Sequence, residues 1–422
     1  MLGLARRYAH AGPALWVLAA TTIANVFAYG YQVIMARLLR PDEYAILTAL
    51  FGILLLESLS AQVIQSATAR IAAQYRARSD EAALHVFVRR WSRRILIGAG
   101  APSLAIVVVS GPVAQALSLP APSVALLGVA LFLSAPLTFT GGLLLGLAHF
   151  GWFGWYFIAQ ALVRLAVGVA LVAAGFGVGG AFVGAVSALA VALLLSLVLL
   201  APLFRAARGA VHLVALRETE GRFFLFASVI MLAYAGLTNI DAVASRALLS
   251  AGDAGAYAGA VTMAKVILFA PIALGFILLE RTARDHARGL DTDRGLFQAI
   301  AFTLLTSGLV TVAYLVAPAS FTRLVVGEQY PLAAALIGPY AVAALLNALL
   351  SLWIAHFIGR GELRVGVLLA LAVALEIGLI LATPHDAATL VRVVLGVAGA
   401  TQVVALGTYW WERSRRVIAQ RG

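Results

Sequence analysis

The 422-residue chain has no cysteine. That excludes disulfides, thiol nucleophiles and Cys-ligated metals, and says little about compartment. Charge is scarce: 11% of residues are Asp, Glu, Lys or Arg, where a soluble domain carries roughly 25%. Lysine occurs once, at Lys265. The seven histidines are scattered without metal-ligand spacing. No Gly-rich phosphate loop of the G-x-x-x-x-G-K-[ST] kind is present, which argues against ATP hydrolysis within the chain. No Gly-x-Ser-x-Gly elbow accompanies a fitting His and acid. The expectation is a protein that is not an enzyme, with no bound cofactor.

What the chain has in excess is apolar surface. Hydrophobic residues make up 63% of it, and no soluble fold of this length buries that much. Continuous apolar runs lie near 13–36, 45–70, 95–118, 123–147, 155–177 and 179–203. A second set lies near 223–249, 254–279, 296–318, 331–355, 363–383 and 388–411. Each matches the roughly 20 residues that a helix needs to cross hydrocarbon. The absence of alternation excludes a β-barrel. An all-α polytopic membrane protein with about twelve transmembrane helices follows. Turn signals separate many runs, at Arg40-Pro41-Asp42, Pro120-Ala121-Pro122, Gly177 to Gly180, Gly359 to Gly361 and Pro384. Pro102, Pro112, Pro136, Pro271 and Pro339 fall inside runs and predict kinks.

The net charge of +12 is a topology signal. With the N-terminus inside, 23 basic residues fall in cytoplasmic segments, including Arg70, Arg76, Arg78, Arg89, Arg90, Arg93 and Arg94. Five fall outside (Arg37, Arg40, Arg246, Arg323 and Arg392), and Arg164 and Lys265 lie within spans. This asymmetry predicts a multi-pass protein of the cytoplasmic membrane with both termini in the cytoplasm. Attraction to anionic lipid heads accounts for the basicity, with no need of a nucleic-acid partner.

A weak repeat divides the chain. Span 1 ends in Arg37-Leu38-Leu39, followed by a polar loop and Tyr44; span 7 ends in Ala247-Leu248-Leu249, followed by a polar loop and Tyr257. Thr68-Ala69-Arg70 closes span 2, and Thr282-Ala283-Arg284 closes span 8. These matches predict two six-helix bundles, 1–210 and 211–422, facing each other across a substrate path.

Polar groups at membrane depth are costly and usually face a cavity or a partner. Span 1 carries Thr22, Asn25, Tyr29 and Gln32 at helical spacing, and span 7 carries Tyr234, Thr238, Asp241 and Ser245. Glu57, Gln62 and Gln65 lie in span 2, Arg164 in span 5, Lys265 in span 8 and Glu376 in span 11. These residues fit a polar cavity for an anionic substrate, with guanidinium contacts to phosphate and Tyr, Asn and Gln contacts to sugar hydroxyls. The alternative is interhelical pairing, such as Asp241 with Lys265 or Glu57 with Arg164, that merely fixes register.

Three stretches resemble one family. ARLLRPDEYAILTAL (36–50), TNIDAVASRALLSAGDAGAYAGAVTMAKVILFAP (238–271) and RLVVGEQYPLAAALIGPY (323–340) are similar to segments of bacterial oligosaccharide flippases, the polysaccharide transporter family. That family belongs to the multidrug/oligosaccharidyl-lipid/polysaccharide exporter (MOP) superfamily. The resemblance implies two six-helix bundles in a V around a central cavity. It also implies export of polyprenyl-pyrophosphate-linked oligosaccharide by alternating access, for cell-surface polysaccharide synthesis. Spans 1, 2, 7 and 8 would line the cavity, which makes Asn25, Tyr29, Glu57, Asn239, Asp241 and Lys265 substrate-binding candidates; Arg164 joins them on depth alone. Partners would be the lipid-linked oligosaccharide, the phospholipid membrane and polysaccharide-synthesis proteins. Arg40-Pro41 departs from the family's usual Gly-Pro. Two rivals are a multidrug-type antiporter of the same superfamily, coupled to H⁺ or Na⁺ at Glu57 or Asp241, and a remote integral membrane glycosyltransferase using Asp42-Glu43. Those two acids also suit the N-terminus of span 2 as caps.

Overall fold

The computed structural model describes residues 2–205, 218–362 and 364–421. Arg208 and Arg217 of the cytoplasmic arginines lie outside them, as do the side chains of Arg6, Arg7, Arg205, Arg222, Arg415, Arg416 and Arg421. The described residues are helical with short connections. In order these are α1 (Leu2–Leu38), α2 (Pro41–Ala77), α3 (Glu81–Val108), α4 (Ser110–Ala116), α5 (Ala121–Gly146), α6 (Phe150–Leu171) and α7 (Gly177–Arg205). Then come α8 (Glu218–Leu248), α9 (Ala251–Ala287), α10 (Asp293–Val316), α11 (Pro318–Val325), α12 (Ala333–Gly359), α13 (Val365–Ala382) and α14 (Ala387–Arg421).

Local chemistry sets the helix starts. Asp42 and Glu43 occupy the first turn of α2; Glu43 caps it by accepting the Arg40 amide at 3.3 Å, and Asp42 pairs with the Arg40 guanidinium at 3.3 Å. Asp80 accepts the Ala83 amide at 3.0 Å. Ser250 accepts the Asp253 amide and donates its hydroxyl back to Asp253 at 3.0 Å. Asp386 accepts both the amide and the hydroxyl of Thr389 ahead of α14. Those two bonds hold its carboxyl below the ordinary aspartate range.

Ten stretches among the described residues are long and apolar enough to cross a membrane, or eleven when the bent pair α3–α4 is taken as one. One of the ten, Phe150–Phe204, is 55 residues long, well beyond the roughly 30 Å of hydrocarbon at 1.5 Å per residue. It is a hairpin. Gly175 (φ 91°) and Gly177 (φ 51°) take conformations open to glycine and reverse the chain between α6 and α7. Counted so, and with α3–α4 taken as one, the described residues hold twelve stretches with the length and composition of a span.

The expected third span ends earlier than its apolar run. α3 and α4 meet at a bend of 69°. Pro112, in the first turn of α4, has no amide to offer the Val108 carbonyl one turn earlier, and the chain bends at that point. Pro102, Pro136, Pro271 and Pro339 do lie inside helices.

Two units divide the chain. One comprises residues 1–39 and 53–228, the other residues 40–52 and 229–422. Helix α2 is thus shared, its first turns packing in the second unit. There Tyr44 bonds Thr262 of α9 at 2.6 Å, and Gly52 lies against α8. In the first unit α5 crosses α2, and α6 packs on α1 and α7. In the second, α9 and α12 form the central pair, with α10 and α14 against them.

Proline also creates demands that a neighbouring helix meets. Pro271 has no amide to offer the Ile267 carbonyl one turn earlier. The Ser307 hydroxyl of α10 supplies that donor at 2.7 Å, fully buried. Replacing Ser307 by Ala leaves a buried carbonyl unsatisfied and should cost about 1–3 kcal/mol. A thermal-unfolding comparison in detergent checks this; an unchanged midpoint would show that the bond contributes nothing.

Candidate functional site

The most distinctive polar assembly lies in the second unit. α8 presents Asp241, 1% exposed. One carboxylate oxygen, Oδ2, accepts hydroxyl hydrogen bonds from Tyr257 of α9 and Tyr340 of α12, each at 2.6 Å. The two rings meet edge to face at 5.4 Å, so each tyrosine fixes the other. Glu376 of α13 is equally buried and lies within electrostatic reach of Asp241. Oδ1 of Asp241 and Oε1 of Glu376 are buried and accept no hydrogen bond among the described residues.

Four helices thus converge on two carboxyl groups. Like charges in a dry setting are strongly disfavoured, and the arrangement is relieved by a proton or by a monovalent cation. Among the described residues no cluster of three His, Asp or Glu suits a metal ion. Tyr234 supports the same helix, donating to the Asn347 carbonyl of α12 at 3.1 Å.

The sequence candidates distribute unevenly around this assembly. Asp241 is at its centre, held by two tyrosines. Asn239 spends its amide on the Ala235 carbonyl and the Thr238 hydroxyl of its own helix. Lys265 is half-buried, two turns beyond Tyr257 on α9.

In the first unit, Arg164 of α6 is half-buried, its guanidinium 5.4 Å from the Tyr31 ring centroid. Tyr31 is fully buried and donates to the Ala181 carbonyl of α7 at 2.7 Å. Tight backbone packing makes room for that ring. A Cβ on Gly184 would lie 2.6 Å from the Gly168 backbone, and one on Gly168 would lie 2.7 Å from Tyr31. Glu57 is half-buried and reaches Ser134 of α5. On α1, Asn25 is exposed and Tyr29 half-buried.

Tyr257 and Tyr340 are not among the sequence candidates for binding, and Glu376 is there only as one of the charges at membrane depth. Glu376 carried a signal, as the single charged residue of the otherwise apolar α13. The tyrosines carried none that separates them from core aromatics.

No protein-family model matches the sequence. No curated protein matches it either. Solved structures do. A multidrug resistance MATE-family transporter of the MOP superfamily, in an inward-facing conformation, superposes with a TM-score of 0.70 at 14% identity, over 97% of this chain and 99% of the other. The lipid II flippase MurJ, in an inward closed conformation, gives 0.67 at 11% identity, over 94% and 87%. The eukaryotic MATE transporter AtDTX14 gives 0.64 at 16%, over 96% and 97%. The chain therefore has the fold of the MOP-superfamily transporters, an all-helical multi-pass membrane architecture.

Proposed function

We propose that this protein is a flippase that moves polyprenyl-pyrophosphate-linked oligosaccharide from the cytoplasmic to the outer leaflet of the cell membrane. It works by alternating access and serves cell-surface polysaccharide synthesis. The transporter fold supports translocation, and the cations Arg164 and Lys265 at membrane depth support an anionic cargo. Guanidinium groups suit phosphate oxygens by their fork geometry, and a transporter for cationic drugs gains nothing from such groups. Asp241 and Glu376 supply the coupling site, where uptake of H⁺ or Na⁺ changes the charge of a buried pair and so biases the conformational equilibrium. Asn25, Tyr29, Glu57 and Asn239 contribute polar positions toward sugar hydroxyls. The arginine distribution supports a cytoplasmic position for both termini.

The test is depletion of the protein, followed by mass spectrometry of polyprenyl-pyrophosphate sugars with a membrane-impermeant probe of leaflet. Full-length saccharide should accumulate in the cytoplasmic leaflet. A truncated saccharide would indicate a transferase, and an unchanged pool would reject the reading. The second reading, a cation-coupled multidrug antiporter, draws on the MATE-like fold. It predicts an unchanged lipid pool with altered drug accumulation.

Lys265 offers a sharper check. Lys265→Ala should slow saccharide export by about tenfold, the equivalent of about 1.4 kcal/mol, with little change in protein abundance. Normal export by a well-folded variant would remove it from the cargo path.

A further inference from the structure

The arginines of this protein differ in their surroundings in a way that topology alone does not set. Arg40, Arg281, Arg284, Arg323 and Arg360 each pair with a nearby carboxylate. Arg89, Arg90, Arg93 and Arg94 do not. These four stand within six residues of α3, all are exposed, and none has an acidic partner among the described residues.

Their setting is ordered. The preceding turns of the same helix are core: Ala83, Leu84, Phe87 and Val88 are buried. Trp91 packs on Phe87 at 6.2 Å between ring centroids. The Arg94 guanidinium in turn sits 5.3 Å from the Trp91 ring centroid, a cation–π contact that holds the charge in place. Immediately beyond, Leu96, Ile97, Leu104 and Val108 are exposed apolar residues of the membrane-crossing part of α3. The quartet thus stands where a helix leaves hydrocarbon, at the depth of lipid phosphates.

Spacing adds specificity. Arg89 with Arg93, and Arg90 with Arg94, are each one turn apart, about 6 Å along the axis. The two ridges are about 100° apart around the helix. Each ridge presents two planar forks to one phosphodiester.

We propose that this face of α3 is a binding site for anionic phospholipid headgroups, with one phosphate seated on each arginine ridge. A single lipid carrying two phosphates fills both ridges, and two phosphatidylglycerols fill them separately. The site is independent of what the transporter carries.

The experiment is native mass spectrometry of the full chain released from detergent after equilibration with equal amounts of phosphatidylglycerol and phosphatidylcholine, repeated with cardiolipin. The wild type should retain phosphatidylglycerol over phosphatidylcholine, up to two per chain, or one cardiolipin. R89K/R90K/R93K/R94K keeps every positive charge, and with it the orientation signal, but loses the forks. Its anionic-lipid occupancy should fall about fivefold. R76Q/R78Q, which removes two exposed arginines elsewhere on the surface, should leave occupancy unchanged, whereas R93Q/R94Q lowers it. Wild-type occupancy in the lysine quartet would overturn the proposal, as would equal losses in the two double variants. Displacement of phosphatidylglycerol by excess inorganic pyrophosphate would also overturn it, by showing a site for the free anion.

Discussion

Transport by an Asp241→Asn protein should fall by more than about tenfold while the protein remains folded in the membrane at its normal level. The substitution is nearly isosteric. The side-chain oxygen of Asn still accepts the Tyr257 and Tyr340 hydroxyls that bond Oδ2 at 2.6 Å, and the new amide group can face the Glu376 carboxyl. The stability change is therefore about 1 kcal/mol or less, the scale of one altered neutral hydrogen bond. Only the charge is lost. A tenfold loss of transport needs about 1.4 kcal/mol of differential free energy between two conformations, and removal of a buried charge supplies that readily.

Glu376→Gln should act in the same direction. If the two carboxyls bind one proton or cation between them, the double variant is little worse than either single one, because groups that act as a unit are not additive. Export is followed by the leaflet-resolved saccharide assay, and folding by chromatographic monodispersity. Wild-type transport in Asp241→Asn would dismiss the coupling role. Fully additive losses would separate the two residues into independent sites.

How much of this was legible beforehand differs by level. The spans were legible because hydrocarbon thickness demands long apolar runs, and these are visible without any tertiary knowledge. Asp241 was legible for a similar reason: a charge at membrane depth is conspicuous. Its partners were not. Tyr340 reaches Asp241 across 99 positions of chain, and nothing in GPYAVAAL tells an inward-facing hydroxyl from a packing ring. Glu376 stood alone in an apolar helix, and its environment became polar only through residues on α8, α9 and α12. The same limit applies to α2. Its helix is unbroken from Pro41 to Ala77, yet its first turns belong to the second unit, and no residue near Gly52 signals the change of neighbours. The arginine quartet was legible as charge, but that it has no acidic partner among the described residues is a fact of packing.

The second large effect concerns the crossing of α2 and α5. Lipid chains are as apolar as leucine, so helices in a membrane associate by close packing and not by expulsion of water. α5 carries Gly141, Gly142 and Gly146, a small-residue stripe with one full turn between the last two. A Cβ on Gly146 would lie 2.4 Å from the Ala69 carbonyl oxygen and 2.7 Å from the Ala72 Cβ; one on Gly142 would lie 2.6 Å from the Gln65 carbonyl oxygen. These neighbours are backbone and Cβ atoms, which have no rotamer by which to yield. Gly146→Val must therefore push the helices apart, forfeiting van der Waals contact along the whole seam. The expected cost is about 3 kcal/mol or more, the upper range for overpacking, against a total stability of roughly 5–15 kcal/mol. Gly142→Val/Gly146→Val should cost less than twice as much, because the first substitution already opens the seam that the second would strain. Gly151→Ala, where a Cβ meets nothing within 4 Å, serves as the control and should leave the midpoint unchanged. Thermal unfolding in detergent and the yield of monodisperse protein measure both. A Gly146→Val protein with the wild-type midpoint would mean that α2 and α5 are held by something other than the closeness of their backbones.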